Sequence, residues 1–176
     1  MLLTGKEVVT ALADETREYI SERGLERRLV VFFLLSDDKA SEVYVGLKQK
    51  FAAKLGLEST IEHMGAASVE EIIAKIDEYN ENEQCLGIVV QLPLAEHLQE
   101  RQSEILCAVA LEKDLDGLGG TLFGLSIAER IDFLPATPKA AIEILDYYDL
   151  GEVSGKNVIV LGQSNLVGKP LVLEMM

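Results

Sequence analysis

Basic residues are scarce in this chain: 16 Lys and Arg stand against 30 Asp and Glu among 176 residues, for a formal net charge of −14. Gripping a nucleic-acid backbone requires a basic surface that releases counterions, so the deficit excludes nucleic acid as a partner. It also disfavours anionic membranes. Cysteine is equally sparse. Cys85 and Cys107 lie far apart, without CxxC spacing, and are too few to staple a secreted scaffold, so both read as reduced thiols. No stretch reaches the roughly 20 apolar residues that span a bilayer; Leu29 to Leu35 is only strand-sized. Met1 to Glu7 lacks the apolar run of a signal peptide. Together these deficits point to a soluble, cytoplasmic protein, and no metal site is expected.

What is present fits a packed globular chain. Apolar residues make up 48% of it and the mean hydropathy is +0.18, above the range of disordered segments. A chain of this length buries roughly 70% of its unfolded surface. It is long for one domain and short for two, which allows one full domain plus part of another.

The hydrophobic pattern alternates between helix and buried strand. Val8, Val9, Leu12, Tyr19 and Ile20 recur at helical spacing over 4–23, with Thr4 and Glu7 set as a capping box and Gly24 as the stop. Leu29 to Leu35 reads as a strand covered on both faces. A helix over 41–55 ended by Gly56, a short strand over 60–63, a helix over 68–79 and a strand over 86–92 stopped by Pro93 follow. One helix is expected over 95–109. The Gly-rich stretch 112–120 reads as a linker, Thr137 as a helix N-cap with Pro138 in first position, and Asn157 to Leu161 as a buried strand entering a turn. The order implies an α/β fold: an N-terminal α/β/α domain with a parallel sheet over 1–118, then a linker and the opening of a Rossmann-type nucleotide-binding domain over 119–176.

Three places carry polar groups suited to chemistry. Tyr44 and Lys48 stand i, i+4 on one helix face with Ser41 a turn earlier; alone, the same ridge reads as a solvated face. Gln91 ends the stronger buried strand, where ligands of open α/β sheets sit, although its amide could equally serve the loop backbone. Asp116 is either a ligand or a turn-former. The turn from Gly162 to Gly168 departs from GxGxxG, with Ser164 and Val167 in glycine positions and Gly168 one residue late.

Taken in order, Ser41 to Lys50, Gly87 to Leu94, Lys113 to Gly117, Pro135 to Pro138 and Gly162 to Pro170 resemble the bifunctional methylenetetrahydrofolate dehydrogenase/methenyltetrahydrofolate cyclohydrolase family over essentially the whole chain. The resemblance implies a folate site in a cleft between two domains. It implies that Lys48 is the catalytic lysine with Gln91 as its partner, that Tyr44 stacks on the folate, that Asp116 grips the pterin amine, and that Ser41 and Pro93 complete the substrate site. Gly162, Gln163, Ser164, Val167 and Gly168 would take the phosphates of NADP, or of NAD. A homodimer is implied as well.

The implied chemistry is hydride transfer from the one-carbon bridge to a nicotinamide, then water attack on the methenyl carbon. The first step needs position above all. The second needs proton transfer, and lowering a lysine from ~10.4 to near neutrality takes about 4 to 5 kcal/mol of desolvation and neighbours. A dry cleft with a neutral partner would make Lys48 a base; otherwise it serves as a cation or relay.

The chain departs from the family in three ways. Ala136 replaces the usual Cys, Gln163 stands where a basic residue often meets the extra NADP phosphate, and family members continue beyond residue 176, so a C-terminal truncation is expected. Two alternatives accompany this reading: a non-catalytic folate-binding or interaction module without dinucleotide binding, and a fragment of an unrelated α/β amino-acid dehydrogenase.

Overall fold

The computed structural model describes residues 3–120, 124–125 and 133–176. Its organising element is strand β1 (Leu29–Leu34), flanked by β2 (Glu58–His63) and β3 (Cys85–Gln91) in a parallel sheet of order β2-β1-β3. Side chains of a strand alternate between faces, and β1 is apolar on both. Val31, Phe33 and Leu35 enter one core with Ile88 and Val90; Val30, Phe32 and Leu34 enter a second with Val89.

Helices cover each face. Helix α1 (Lys6–Glu22) precedes the sheet, and α2 (Lys39–Lys54) places Val45 in the second core. Helix α3 (Val69–Glu81) drives Val69, Ile72 and Ile76 into the first core, where α4 (Gln102–Ala108) adds Ile105 and Leu106. The Phe33 and Tyr79 rings meet edge to face at 6.1 Å. Beyond the sheet lie α5 (Ala136–Tyr147) and α6 (Gly168–Glu174).

Several local expectations are revised. The Thr4–Glu7 capping box does not form: α1 is capped by Gly5 without a side-chain bond, and the backbone of Thr4 is held by the Tyr148 hydroxyl instead. A capping box does form at α3, where Ser68 accepts from the Glu71 N–H and the Glu71 carboxylate accepts from the Ser68 N–H. The single helix over 95–109 is two pieces, a 3₁₀ turn (Glu96–Arg101) and α4. The break falls at Arg101, which leaves helical geometry and forks its guanidinium onto Glu104 and Glu70. Thr137 is not the N-cap of α5; Pro135 is, and Pro138 falls in the first turn, where its missing N–H would have had no partner.

Two revisions matter for function. The stretch 112–120 is no free linker. The Asp114 carboxylate accepts the N–H groups of Gly117, Leu118 and Gly119, the Leu115 N–H donates to the Ile88 carbonyl, and Leu115 lies against Gly87, where a Cβ would stand 2.4 Å from it. In the stretch assigned to linker and second domain, residues 121–123 and 126–132 lie outside those described. The segment from Asn157 to Leu161 is not a buried strand: no strand among the described residues pairs with it, and Ile159 and Leu161 are 83% and 95% exposed. A strand needs a neighbour for its backbone groups.

Two outcomes follow from this packing. Ile72→Ala removes a fully buried side chain from the larger core and is expected to lower unfolding stability by about 2 to 5 kcal/mol, read by urea titration. The Ser41 hydroxyl and N–H both donate to Asp38, the N-cap of α2, and hold its carboxyl below the ordinary value. A carboxylate depressed in the folded state contributes stability above its unfolded range and loses it as pH falls through the lowered value. Acidification through that range should lower the protection factor of the Ser41 amide, its exchange rate taken relative to the intrinsic rate at each pH, and Asp38→Ala should abolish this acid step.

Candidate functional site

A half-buried ion pair forms the centre of the candidate site. Lys48, on α2, donates to Asp116 at 3.0 and 3.4 Å, with both side chains 24% exposed. Its ammonium also lies 5.1 Å from the centroid of the Tyr44 ring, one turn back on the same helix. The i, i+4 spacing therefore yields a face on which ring, cation and carboxylate meet, and the solvated-ridge alternative does not describe it.

Gln91 reaches the same place from the end of β3. It does not pair with Lys48 as the resemblance implied. Its Nε2 donates to the Leu92 carbonyl at 2.7 Å, leaving the ammonium to the oppositely charged Asp116. The other amide atom, Oε1, is buried without a hydrogen-bond partner among the described residues. An orphaned buried acceptor is costly and calls for a donor from elsewhere.

Tyr44, Lys48, Gln91 and Asp116 line one cavity of about 250 Å³, together with Leu92, Leu118, Pro135, Ala136, Thr137 and Leu166. Its walls thus come from α2, β3, the Asp114 turn, the start of α5 and the loop before α6. A larger apolar groove of about 1030 Å³ opens from Tyr44, Lys48 and Asp116 along α2 to Phe51 and Leu55. The small cavity is the candidate site, because Tyr44, Lys48, Gln91 and Asp116 converge there.

The other expected residues stand further off. Ser41 is buried and does not line the cavity; its hydroxyl reaches Asp38 at 2.8 Å and the Leu92 carbonyl at 3.4 Å, tying α2 to the loop after β3. Pro93, after a cis peptide bond to Leu92, is exposed and does not line the cavity either.

Gly162, Ser164, Val167 and Gly168 line a separate hollow of about 370 Å³, and Gln163 is exposed outside it. Gly162 has φ +129, and a Cβ on Gly168 would stand 2.3 Å from the Gly162 carbonyl oxygen, so the two glycines close a turn too tight for side chains. Within it the Ser164 hydroxyl accepts the Val167 N–H at 3.2 Å. Leu166, from this turn, reaches the Lys48 cavity.

Sequence reasoning missed Leu92, Leu118 and Leu166, whose apolar side chains carry no chemical signal. Pro135 to Thr137 stands in the sequence as a helix start and within one of the segments that carry the family resemblance, with no ligand role attached. Asp114, not Asp116, is the residue that closes the turn; burial pushes its carboxyl up, against three backbone N–H groups that pull it down.

Comparison with known proteins matches the sequence and the fold of this chain to one family. The model for the tetrahydrofolate dehydrogenase/cyclohydrolase catalytic domain matches residues 3–116, and that for the NAD(P)-binding domain matches 135–176. The bifunctional protein FolD of Enterococcus faecalis is 34% identical over 174 residues, 97% of this chain and 60% of that protein; FolD of Chlamydia felis is 39% identical, over 100% and 61%. The bifunctional FolD structure from Campylobacter jejuni superposes with a TM-score of 0.90 at 28% identity, covering 99% of this chain and 62% of that one. The Trypanosoma brucei FolD structure, complexed with NADP cofactor and inhibitor, gives 0.89 at 28%, covering 99% and 60%. The chain therefore spans about 60% of the length of the curated relatives it matches. This family accounts for both halves of the fold, an α/β catalytic domain followed by part of an NAD(P)-binding domain, and sets aside an unrelated amino-acid dehydrogenase. The chain belongs to the tetrahydrofolate dehydrogenase/cyclohydrolase family.

Proposed function

We propose that this protein acts in one-carbon folate metabolism, in the NADP-dependent oxidation of methylenetetrahydrofolate to methenyltetrahydrofolate and the hydrolysis of the latter to formyltetrahydrofolate. The observation that carries this reading is the convergence of Lys48, Asp116, Tyr44 and Gln91 on one cavity. A pterin edge presents an amine and ring N–H groups, all donors. Asp116 supplies an acceptor on the cavity wall, and the half-exposed Tyr44 ring offers a stacking surface. Ser41 acts on the site through the Leu92 carbonyl, while Pro93 shapes the loop behind it.

In the hydrolytic step a water oxygen bonds to the methenyl carbon, the bond from that carbon to N5 breaks, one water proton is transferred to N5 and the other leaves. Lys48 and Asp116 together hold and move protons beside that carbon. The ion pair supports a cationic, relaying Lys48 over a free base. Gly162 to Gly168 would hold the NADP phosphates, whose nicotinamide accepts a hydride when bound; the exposed Gln163 leaves NAD as the alternative. The reading carries with it a division into domains at residues 118 and 119, a cytoplasmic location and a homodimer. Among the described residues no helix is long and apolar enough to cross a membrane.

A second reading, a folate-binding module without catalysis, draws on the exposed, unpaired segment before the glycine turn. Calorimetry with methylenetetrahydrofolate and NADP, each alone, separates the two: saturable binding of both supports the enzyme, and folate binding alone supports the module. With both ligands present the enzyme reading expects reduced-cofactor absorbance, and its absence overturns the dehydrogenase. Lys48→Met should slow methenyl hydrolysis by roughly 10²-fold or more; unchanged turnover would reject the role given to Lys48. Asp116→Asn should weaken folate binding by about tenfold, as expected for a charged hydrogen bond.

A further inference from the structure

Lys113 lies outside the cavity, yet its ammonium is fully engaged. It donates to the carbonyls of Tyr79, Asn80 and Asn82 at 2.9, 2.6 and 2.9 Å. Those groups form the carboxyl end of α3, where the last turn leaves carbonyls without partners and concentrates partial negative charge. The last turn of α3 contains no basic residue of its own, while Glu78 and Glu81 add negative charge there. Lys113 thus supplies from 31 to 34 residues away the cation that this helix lacks.

Asn80 strengthens the same junction: its side chain donates to the Ala108 carbonyl at 2.8 Å and accepts the Ala110 N–H at 2.9 Å. Three residues after Lys113 comes Asp116, the partner of Lys48. Between them, the Asp114 carboxylate closes its turn and the Leu115 N–H meets β3. The chain therefore enters this turn from a point pinned to the end of α3 and leaves it at the ion pair.

We infer that Lys113 is a positioning residue: by capping α3 it fixes where the 113–119 turn starts and so holds Asp116 against Lys48. The inference rests on Asp116 being part of the functional site, but its mechanical content concerns only the ion pair. Asp114 and Leu115 form the competing clamp; if they suffice alone, Lys113 is dispensable for the pair.

The test reads the pair without folate. Acylation of individual lysines by a water-soluble succinimidyl ester is followed by peptide mass spectrometry in the full chain. Asp116→Asn should raise the Lys48 labelling rate by about fivefold, the release expected for a partly exposed ion pair. Lys113→Met should raise it comparably while Lys39 and Lys169 label at unchanged rates, and Lys113→Arg, which keeps the donors, should restore the wild-type rate. Wild-type labelling of Lys48 in Lys113→Met overturns the inference. Lys113→Ala, which also removes the donors, is read by the same criterion if the Met variant does not fold. Because no folate is present, a protein that fails to bind folate sinks the functional proposal and leaves this result standing.

Discussion

The structure depends on β1 being apolar on both faces. A strand with one wet face would need a single layer of helices; Leu29–Leu34 demands two, and the chain supplies α2 on one side and α3 with α4 on the other. That demand has a functional consequence. It places the carboxyl end of β3 beside α2, so that Gln91 and the Tyr44–Lys48 face open into one space. The ion pair joining residues 48 and 116 is possible only because two layers are packed around a shared central strand.

The elements legible in the sequence were those whose signal is local. The unbroken apolar run of β1 and the glycine stops at Gly24 and Gly56, both at positive φ, required no tertiary knowledge. Capping boxes show where that logic ends. Thr4 with Glu7 and Ser68 with Glu71 share one spacing, yet only the second forms, since the Tyr148 hydroxyl, 144 residues away, occupies the Thr4 backbone. The run from Asn157 to Leu161 looks like a buried strand because its composition is that of one, whereas strand formation needs a neighbour that periodicity cannot supply.

The site was legible in its residue types more than in its pairings. Tyr44, Lys48, Gln91 and Asp116 do meet. Which of them bond was set by charge: an ammonium offered both a carboxylate and an amide takes the carboxylate, and the amide turns to the nearest carbonyl. The stretch around Asp116 looked flexible from its glycines, but Asp114 and Lys113 convert it into a braced turn. Composition registers the glycines that permit a tight turn and is silent on the distant carbonyls that brace it.

The sheet is open at β2, and the residues that line this strand differ in kind from those of its neighbours. Glu58–His63 is mostly polar, with Glu58 and His63 exposed at its two ends and the half-buried Glu62 carboxylate engaged by the Tyr79 hydroxyl. Unpaired strand margins invite templated stacking between copies, and charge is the usual guard against it. The chain as a whole carries a net charge of −14, which makes adjoining copies repel. The same net charge that set limits on partners at the start thereby protects the most aggregation-prone feature of a small parallel sheet.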